Sequence, residues 1–367
     1  MSLDHRAGEA SVARFERSPL AGWPHVHSIR LPTPWRSNSV QAYLIESDPL
    51  TLVDCGLDDR ASRIALDTAM EGLGYGVEDL RRLVITHYHR DHMGQAASLK
   101  RRASSLEILA HVEAAPMLEA FSLGESPNVA GVTDLFLEFG VPAEIVEGIR
   151  NWRRAVLDSE PPRCSPTVVD RRLREGDSVV FKDFALDVIH TPGHTAGHLM
   201  LHQSDSGVLW SGGQLVSGAI ANTENYYTDD RPDPADPLGR RPRFRGLVEY
   251  RRSLAGLRRR SIRAILPGYG PPILQPERAL REAALFYDVR IQRIERSLRS
   301  VSALGEAVSA FEIWRALFPG EDPVKEMWPH LLTVIGALDV LEEQGACITE
   351  RRADGALVHR HAGRGRG

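Results

Sequence analysis

From His25 to Val53 short apolar runs (Val26 to Leu31, Val40 to Ile45, Leu50 to Val53) alternate with Pro, Ser and Asp, the punctuation of an antiparallel sheet. The period then changes. Arg60 to Leu73 has helical spacing, with Ile64, Ala65 and Met70 expected on one side, and RRLVIT reads as a buried strand delivering Thr86 and His87 at its C-terminal end. Residues 114–155 are mostly helical with Gly and Pro breaks, the pattern of a cap inserted into a sheet. SVVFKDFALDVIHTPGHTAGHLMLHQSDSGVLWSGGQLV reads as four short strands, with a histidine-bearing loop between the second and third.

Helices are expected from Leu247 to Arg258 and Glu277 to Arg299, flanking the strand AILPGYG. The tail predicts helices at Val308 to Phe318 and His330 to Gln344, then a hairpin, ACITERRADGALVHRH, turning at Ala353-Asp354-Gly355. Helices followed by a β-wing form a winged-helix pattern. The expected organisation is an N-terminal extension over residues 1–24, an α/β domain of αββα layers over 25–300 with a helical cap at about 114–155, and a small winged-helix-like domain over 301–367. The excursion YYTDDRPDPADPLGRRPRF is too polar for a core and is expected to run over the surface beside the site.

At 367 residues, 42% hydrophobic and 26% charged, the composition is that of a globular chain with room for a large core. A formal net charge of −4 gives no overall pull toward nucleic acid or an anionic membrane. Cys55, Cys164 and Cys347 are odd in number and far apart, which does not suggest a disulfide framework. With no run of about 18 apolar residues to cross a bilayer, a soluble cytoplasmic protein is expected.

VITHYHRDHMGQ concentrates the candidate chemistry. His87 and His89 stand two apart at a strand end, so their imidazoles can converge on one ion, and His194 in HTPGHTAGH can add a third nitrogen from a neighbouring loop. Three protein nitrogens and one open position make up a catalytic zinc site, although iron accepts imidazole too. The strand-to-helix loop carrying the cluster is where open α/β sheets bind ligands.

The motifs THYHRDHMG, TPGHTAGH, LVDCG and LPGYGPP resemble those of the metallo-β-lactamase-fold superfamily, over roughly Val26 to Arg360. Within it the chain is similar to a hydrolase-like branch with a C-terminal winged helix, which includes a lactamase-like endoribonuclease and hydroxyacylglutathione hydrolase relatives. The resemblance implies a first metal on His87, His89 and His194, and a second on Asp91 and His92 with a bridging aspartate and a last histidine. Here those last two positions are Gly213 and Tyr269. Without the bridging carboxylate, repulsion between two dications is less compensated, and Asp91 with His92 falls short of the usual ligand number. One zinc ion is therefore expected.

The resulting expectation is a metal-dependent hydrolase of a small-molecule ester, thioester, lactone or amide. Asp91 would take the proton of the attacking water, and Tyr269 would donate a hydrogen bond to an oxyanion or leaving group. His198 and Asp54 are expected to brace the site, and Phe121, Phe136, Phe139, Trp152, Tyr226 and Tyr227 offer apolar and aromatic surface to the pocket, with packing of the cap itself the weightier reading for each. The alternative is a degenerate site redirected to non-hydrolytic, biosynthetic chemistry. A nuclease is disfavoured because the helix His330 to Gln344 carries Asp339, Glu342 and Glu343 and no Arg or Lys. The final domain is instead expected to pack on the core or to pair two copies as a homodimer.

Overall fold

Alternating apolar positions on two successive sets of strands draw two sheets together face to face. The computed structural model describes residues 15–17, 23, 25–35, 37–121, 128–159 and 163–363; most of the expected N-terminal extension lies outside them. The first sheet runs β1 (Phe15–Arg17), β2 (Val26–Pro32), β3 (Ser39–Ile45), β4 (Thr51–Val53), β5 (Arg82–Ile85), β6 (Glu107–His111), β7 (Arg171–Leu173), antiparallel through β4 and parallel from there on. The second contains β8 (Ser178–Val180), β9 (Ala185–His190), β10 (Leu199–Gln203) and β11 (Val208–Gly212). A separate antiparallel ribbon of β12 (Asn225–Tyr227) and β13 (Arg243–Arg245) precedes β14 (Ala264–Pro267), which joins β11 in parallel. Between the sheets Tyr43, Val53, Val84 and Leu109 meet Val188, Leu201, Trp210 and Leu266.

Helices cover both outer faces. On the first sheet lie α1 (Arg60–Glu71), α2 (Arg90–Met93), α3 (Ala96–Arg102) and α4 (Ala115–Glu119), which contribute Leu66, Met70, Met93, Leu99 and Leu118 to one apolar cluster. Asp59 caps α1 by accepting a hydrogen bond from the Ser62 amide at 2.8 Å. The expected inward stripe of α1 needs one correction. Ala65 and Met70 are buried, but Ile64 is 53% exposed. It sits about 100° round the helix from Ala65, and the buried stripe is Ser62, Ala65, Leu66, Ala69 and Met70.

The second sheet is covered by α5 (Asn128–Glu138) and α6 (Ala143–Ser159) of the cap, α7 (Gly246–Leu257), α8 (Pro276–Ser302), α9 (Ala310–Leu317) and α10 (Met327–Glu343). All feed one cluster that includes Phe136, Val146, Leu254, Tyr287, Trp314, Ile335 and, from the strands, Met200, Leu209 and Ile265. The αββα layering is therefore complete. The C-terminal hairpin of β15 (Cys347–Arg351) and β16 (Leu357–His361) follows α10, and α9 begins at a capping box between Ser309 and Glu312. All three cysteines are buried free thiols, and among the described residues no helix is long and apolar enough to cross a membrane.

The polar excursion after Asn222 is more than surface chain. Its ribbon buries Asn225 and Tyr226 and grips α10. Asp339 of α10, 1% exposed, accepts hydrogen bonds from Asn225 at 3.0 Å and from Arg243 Nη1 at 2.7 Å, and the Arg245 guanidinium donates to its carbonyl at 2.8 Å. Glu342 and Glu343 are likewise paired, with Arg240 at 2.8 Å and Arg252 at 2.9 Å. Removing one partner of a buried ion pair strands the other charge. Asp339→Ala is expected to destabilise the protein by about 3–5 kcal/mol in denaturant titration, and Arg243→Met/Asp339→Leu by less than either single change; equal losses in all three variants would mean that the pair is not electrostatically coupled.

Candidate metal centre

The centre is assembled where β4 and β5 end. Asp54, at φ 58°, turns the chain after β4 in the left-handed region that short polar side chains tolerate. Its carboxylate accepts the Thr86 amide and hydroxyl, each at 2.8 Å, and the His92 Nδ1–H at 2.7 Å. One carboxylate thus fixes both ends of the THYHRDH loop.

The hydrogen bonds also set the histidine tautomers. Thr86 gives its only hydroxyl proton to Asp54, so at 3.0 Å His87 Nδ1 must be the donor, which leaves His87 Nε2 a bare lone pair. His194 Nδ1 lies 2.7 Å from the Asn222 carbonyl, which can only accept, so its Nε2 is bare. His89 Nε2 faces the Glu224 carboxylate at 3.3 Å, which leaves Nδ1 bare, and that atom lies 3.0 Å from His87 Nε2. One ring nitrogen from each of the three residues falls within 4.8 Å of the others. Burial, followed by the charges of neighbouring histidines, pushes His87 and His194 well below the ordinary imidazole range. Three imidazoles that gather one untied ring nitrogen each fit a divalent ion of the zinc type.

The other predicted site residues stand beside this triplet. His92, whose Nδ1–H is given to Asp54, donates from Nε2–H to the Tyr269 hydroxyl oxygen at 3.2 Å when the ring carries both protons, and that hydroxyl donates to Asp91. Asp54, His92, Tyr269 and Asp91 therefore form one hydrogen-bonded chain where a second ion's ligands were expected. Burial, then the Asp91 charge and hydrogen bond, raises the Tyr269 phenol far above its usual value, so it stays protonated. For His92 burial acts downward, but the Asp54 charge and hydrogen bond, with Asp91, outweigh it and the net shift is upward. A Cβ on Gly213 would lie 2.6 Å from His194 Nε2 and 2.8 Å from His87 Cε1, so the imidazoles themselves fill the space of a bridging side chain.

Bracing falls to His198 and Gln214. His198 Nε2 accepts the Gly213 amide at 3.2 Å, which spends its lone pair, and Gln214 Oε1 accepts the His194 amide at 2.9 Å. A second group of donors, His111, Glu113 and His190, also lies close together. There the rings are stacked 3.8 Å apart at 15°, so their in-plane lone pairs run parallel, and His190 Nε2 donates to the Ala196 carbonyl at 2.8 Å. This group braces the TPGHTAGH loop.

Sequence reasoning missed Glu224. It accepts from the Tyr88 hydroxyl as well as from His89, and Asn128 donates to Tyr88 at 2.7 Å. Nothing in its local sequence, ANTENYY, marks it as facing a histidine 135 positions away. The pocket wall was only partly foreseen. A cavity of about 410 Å³ opens over His89, Asp91 and Glu224, and Phe121 and Trp152 do line it. Phe136, Phe139 and Tyr226 are instead buried in the packing, and Tyr227 stacks under Arg241 at 3.6 Å. Trp35, Val132, Trp328 and Leu332 take their place.

The family model of the metallo-beta-lactamase superfamily matches residues 35–268. Over 321 residues, 88% of this chain and 93% of the relative, the sequence is 27% identical to probable metallo-hydrolase YqjP of Bacillus subtilis (strain 168). Over 145 residues, 39% of this chain and 44% of the relative, it is 30% identical to acyl-coenzyme A thioesterase MBLAC2 of Homo sapiens. The metallo-beta-lactamase family protein TTHA1429 from Thermus thermophilus superposes with a TM-score of 0.68 at 22% identity, covering 92% of this chain and 99% of that one. A beta-lactamase domain protein from Burkholderia ambifaria gives 0.69 at 21% identity, over 92% and 93%. These two likenesses concern the fold.

Two measurements check the centre. Glu224→Gln is expected to lower metal affinity about tenfold in chelator competition by loosening the His89 ring; unchanged affinity would reduce Glu224 to a pocket-lining group. Because the His87 and His194 values are depressed, protons compete for them only at lower pH than for free imidazole. Metal is therefore expected to remain bound through gel filtration at about pH 6, where ordinary imidazole is mostly protonated, and to be lost on further acidification.

Proposed function

Because this chain belongs to the metallo-beta-lactamase superfamily and has metallo-hydrolase and thioesterase relatives, it is a hydrolase, and we propose that it cleaves a carboxylic ester, thioester, lactone or amide at a single metal ion. The observation that carries this reading is the contrast between two adjacent sets of donors: His87, His89 and His194 present bare lone pairs, whereas Asp91, His92 and Tyr269 are spent on one another. His87, His89 and His194 would hold a zinc ion, which would supply Lewis acidity and acidify water at neutral pH.

The chain's own groups do the rest. Asp91, 5% exposed and lining the cavity, is placed to accept the proton of the attacking water. Its Oδ2 already receives the Tyr269 proton, which orients the carboxylate and keeps its other oxygen for that task. Tyr269, held protonated, can turn its donor to an oxygen that gains charge as the acyl bond breaks. The cap helices and α10 wall the cavity in which the substrate would sit.

Elemental analysis of purified protein is expected to give about one zinc per chain, consistent with a four-coordinate site of three protein ligands. Tyr269→Phe is expected to keep that stoichiometry, to lower kcat by about 10²-fold on an activated ester and to leave KM nearly unchanged. Two ions per chain in the wild type, or full activity in the variant, would remove the role given to Tyr269.

A further inference from the structure

The cavity above the histidines has a far wall of unusual character. Cap helix α6 turns Trp152 and Val156, four positions apart and so on one face, toward it, and they are 39% and 36% exposed. Across from them α10 contributes Trp328 and Leu332, again four apart, while Phe121 and Val132 line the space as well. Single exposed apolar residues are ordinary, but several gathered in one concave wall beside a catalytic centre mark a binding surface for hydrocarbon. The polar lining is specific too. Asp91 is engaged by Tyr269, and Glu224 by Tyr88 and His89. Two guanidiniums line the same cavity: Arg153, its carbon 4.6 Å from the Trp328 ring centroid, and, next in sequence to His89 and Asp91, Arg90, 4.9 Å from the Trp35 ring centroid, which enters no ion pair among the described residues.

We infer that this cavity takes a straight-chain acyl thioester or ester: the hydrocarbon chain lies between α6 and α10, the carbonyl is turned toward His89 and Asp91, and an anionic group on the leaving portion is received by Arg90. The assignment rests on the hydrolase reading above and names its substrate class. In the reaction, water adds its oxygen to the acyl carbon, the C–S or C–O bond breaks, and the thiol or alcohol leaves carrying a proton, with no change of oxidation state. Arg90 suits the anion because a guanidinium presents a planar fork of donors and the indole beneath it fixes that plane.

The test uses the zinc-loaded full chain with straight-chain acyl thioesters from acetyl to dodecanoyl, each presented on coenzyme A, which is anionic, and on N-acetylcysteamine, which is neutral. KM is expected to fall by up to about fourfold per methylene buried until the cavity is filled. The coenzyme A series is expected to hold an advantage of about tenfold in kcat/KM, which Arg90→Gln removes. Trp152→Glu and Val156→Glu, both at partly exposed positions, are expected to lower the ratio of dodecanoyl to acetyl kcat/KM by at least about tenfold. A KM indifferent to chain length in an enzyme that turns over overturns the acyl assignment, and equal rates on the two carriers overturn the role of Arg90. Quenching of tryptophan fluorescence by dodecanoate, with acetate as the control, gives a readout independent of catalysis. Saturable dodecanoate binding that Val156→Glu abolishes, with no ester or thioester hydrolysed, would uphold the cavity's occupant and sink the hydrolase reading; turnover without such binding would do the reverse.

Discussion

Everything in this molecule that bears on chemistry depends on three imidazoles being held with one nitrogen tied and the other bare. The Thr86 hydroxyl, the Glu224 carboxylate and the Asn222 carbonyl each take up an outward N–H. A free histidine has two tautomers and a ring that rotates; fixing one N–H on an acceptor removes both freedoms and raises the basicity of the opposite nitrogen. The acceptors come from two parts of the chain: the end of β5 supplies Thr86, and the loop between β11 and β12 supplies both Asn222 and Glu224. The two-sheet core holds them in register, since β5 is buried on both faces and cannot shift without moving Thr86 and His87.

The same logic explains why the neighbouring position differs. Asp54 and Asp91 bring two carboxylates close to His92 and Tyr269, and hydrogen bonds from the imidazole and the phenol offset their charge. A second dication placed there would have to displace a protonated phenol that gains from burial, without a bridging carboxylate to screen it from the first. The space for such a carboxylate is taken by the rings of His87 and His194 around Gly213. With Gly213 and Tyr269 at these positions, His92, Tyr269 and Asp91 pair with one another, and the tyrosine takes part as a hydrogen-bonding group.

Much of the layered fold could be read from the chain. The four strands between Ser178 and Gly212, the loop between the second and third, and the helices on either side of β14 all follow from periodicity and turn residues. The gathering of His87, His89 and His194 was legible because ligand spacing is a local signal on two short motifs. Ile64 was misplaced because one residue of error in a 3.6-residue period turns a side chain from core to solvent. Glu224 and the α10 residues of the cavity wall were invisible for a different reason: their relation to the site exists only once distant segments pack, and no spacing encodes it. The aromatic residues expected in the wall carried no directional signal, since a cap helix must bury some of its large side chains for its own stability, as it does with Phe136 and Phe139.

The ribbon of β12 and β13 joins the C-terminal helices to the chemistry. Glu224 immediately precedes Asn225, which donates to Asp339, and the Glu224 and Gly246 backbones are hydrogen-bonded at 3.0 Å across the ribbon's open end. The same α10 that anchors the ribbon through Asp339 presents Trp328 and Leu332 to the cavity. A helix carrying three acidic side chains is a poor surface for a polyanion, but it is a good partner for the arginines of a segment that must be held still. Burial of the Arg243–Asp339 pair makes this junction sensitive to geometry, because an ion pair out of water tolerates little displacement before its desolvation is uncompensated. The C-terminal helices are in this way part of the cavity wall and of the support for His89, and a change in their seating would reach the candidate centre through Glu224.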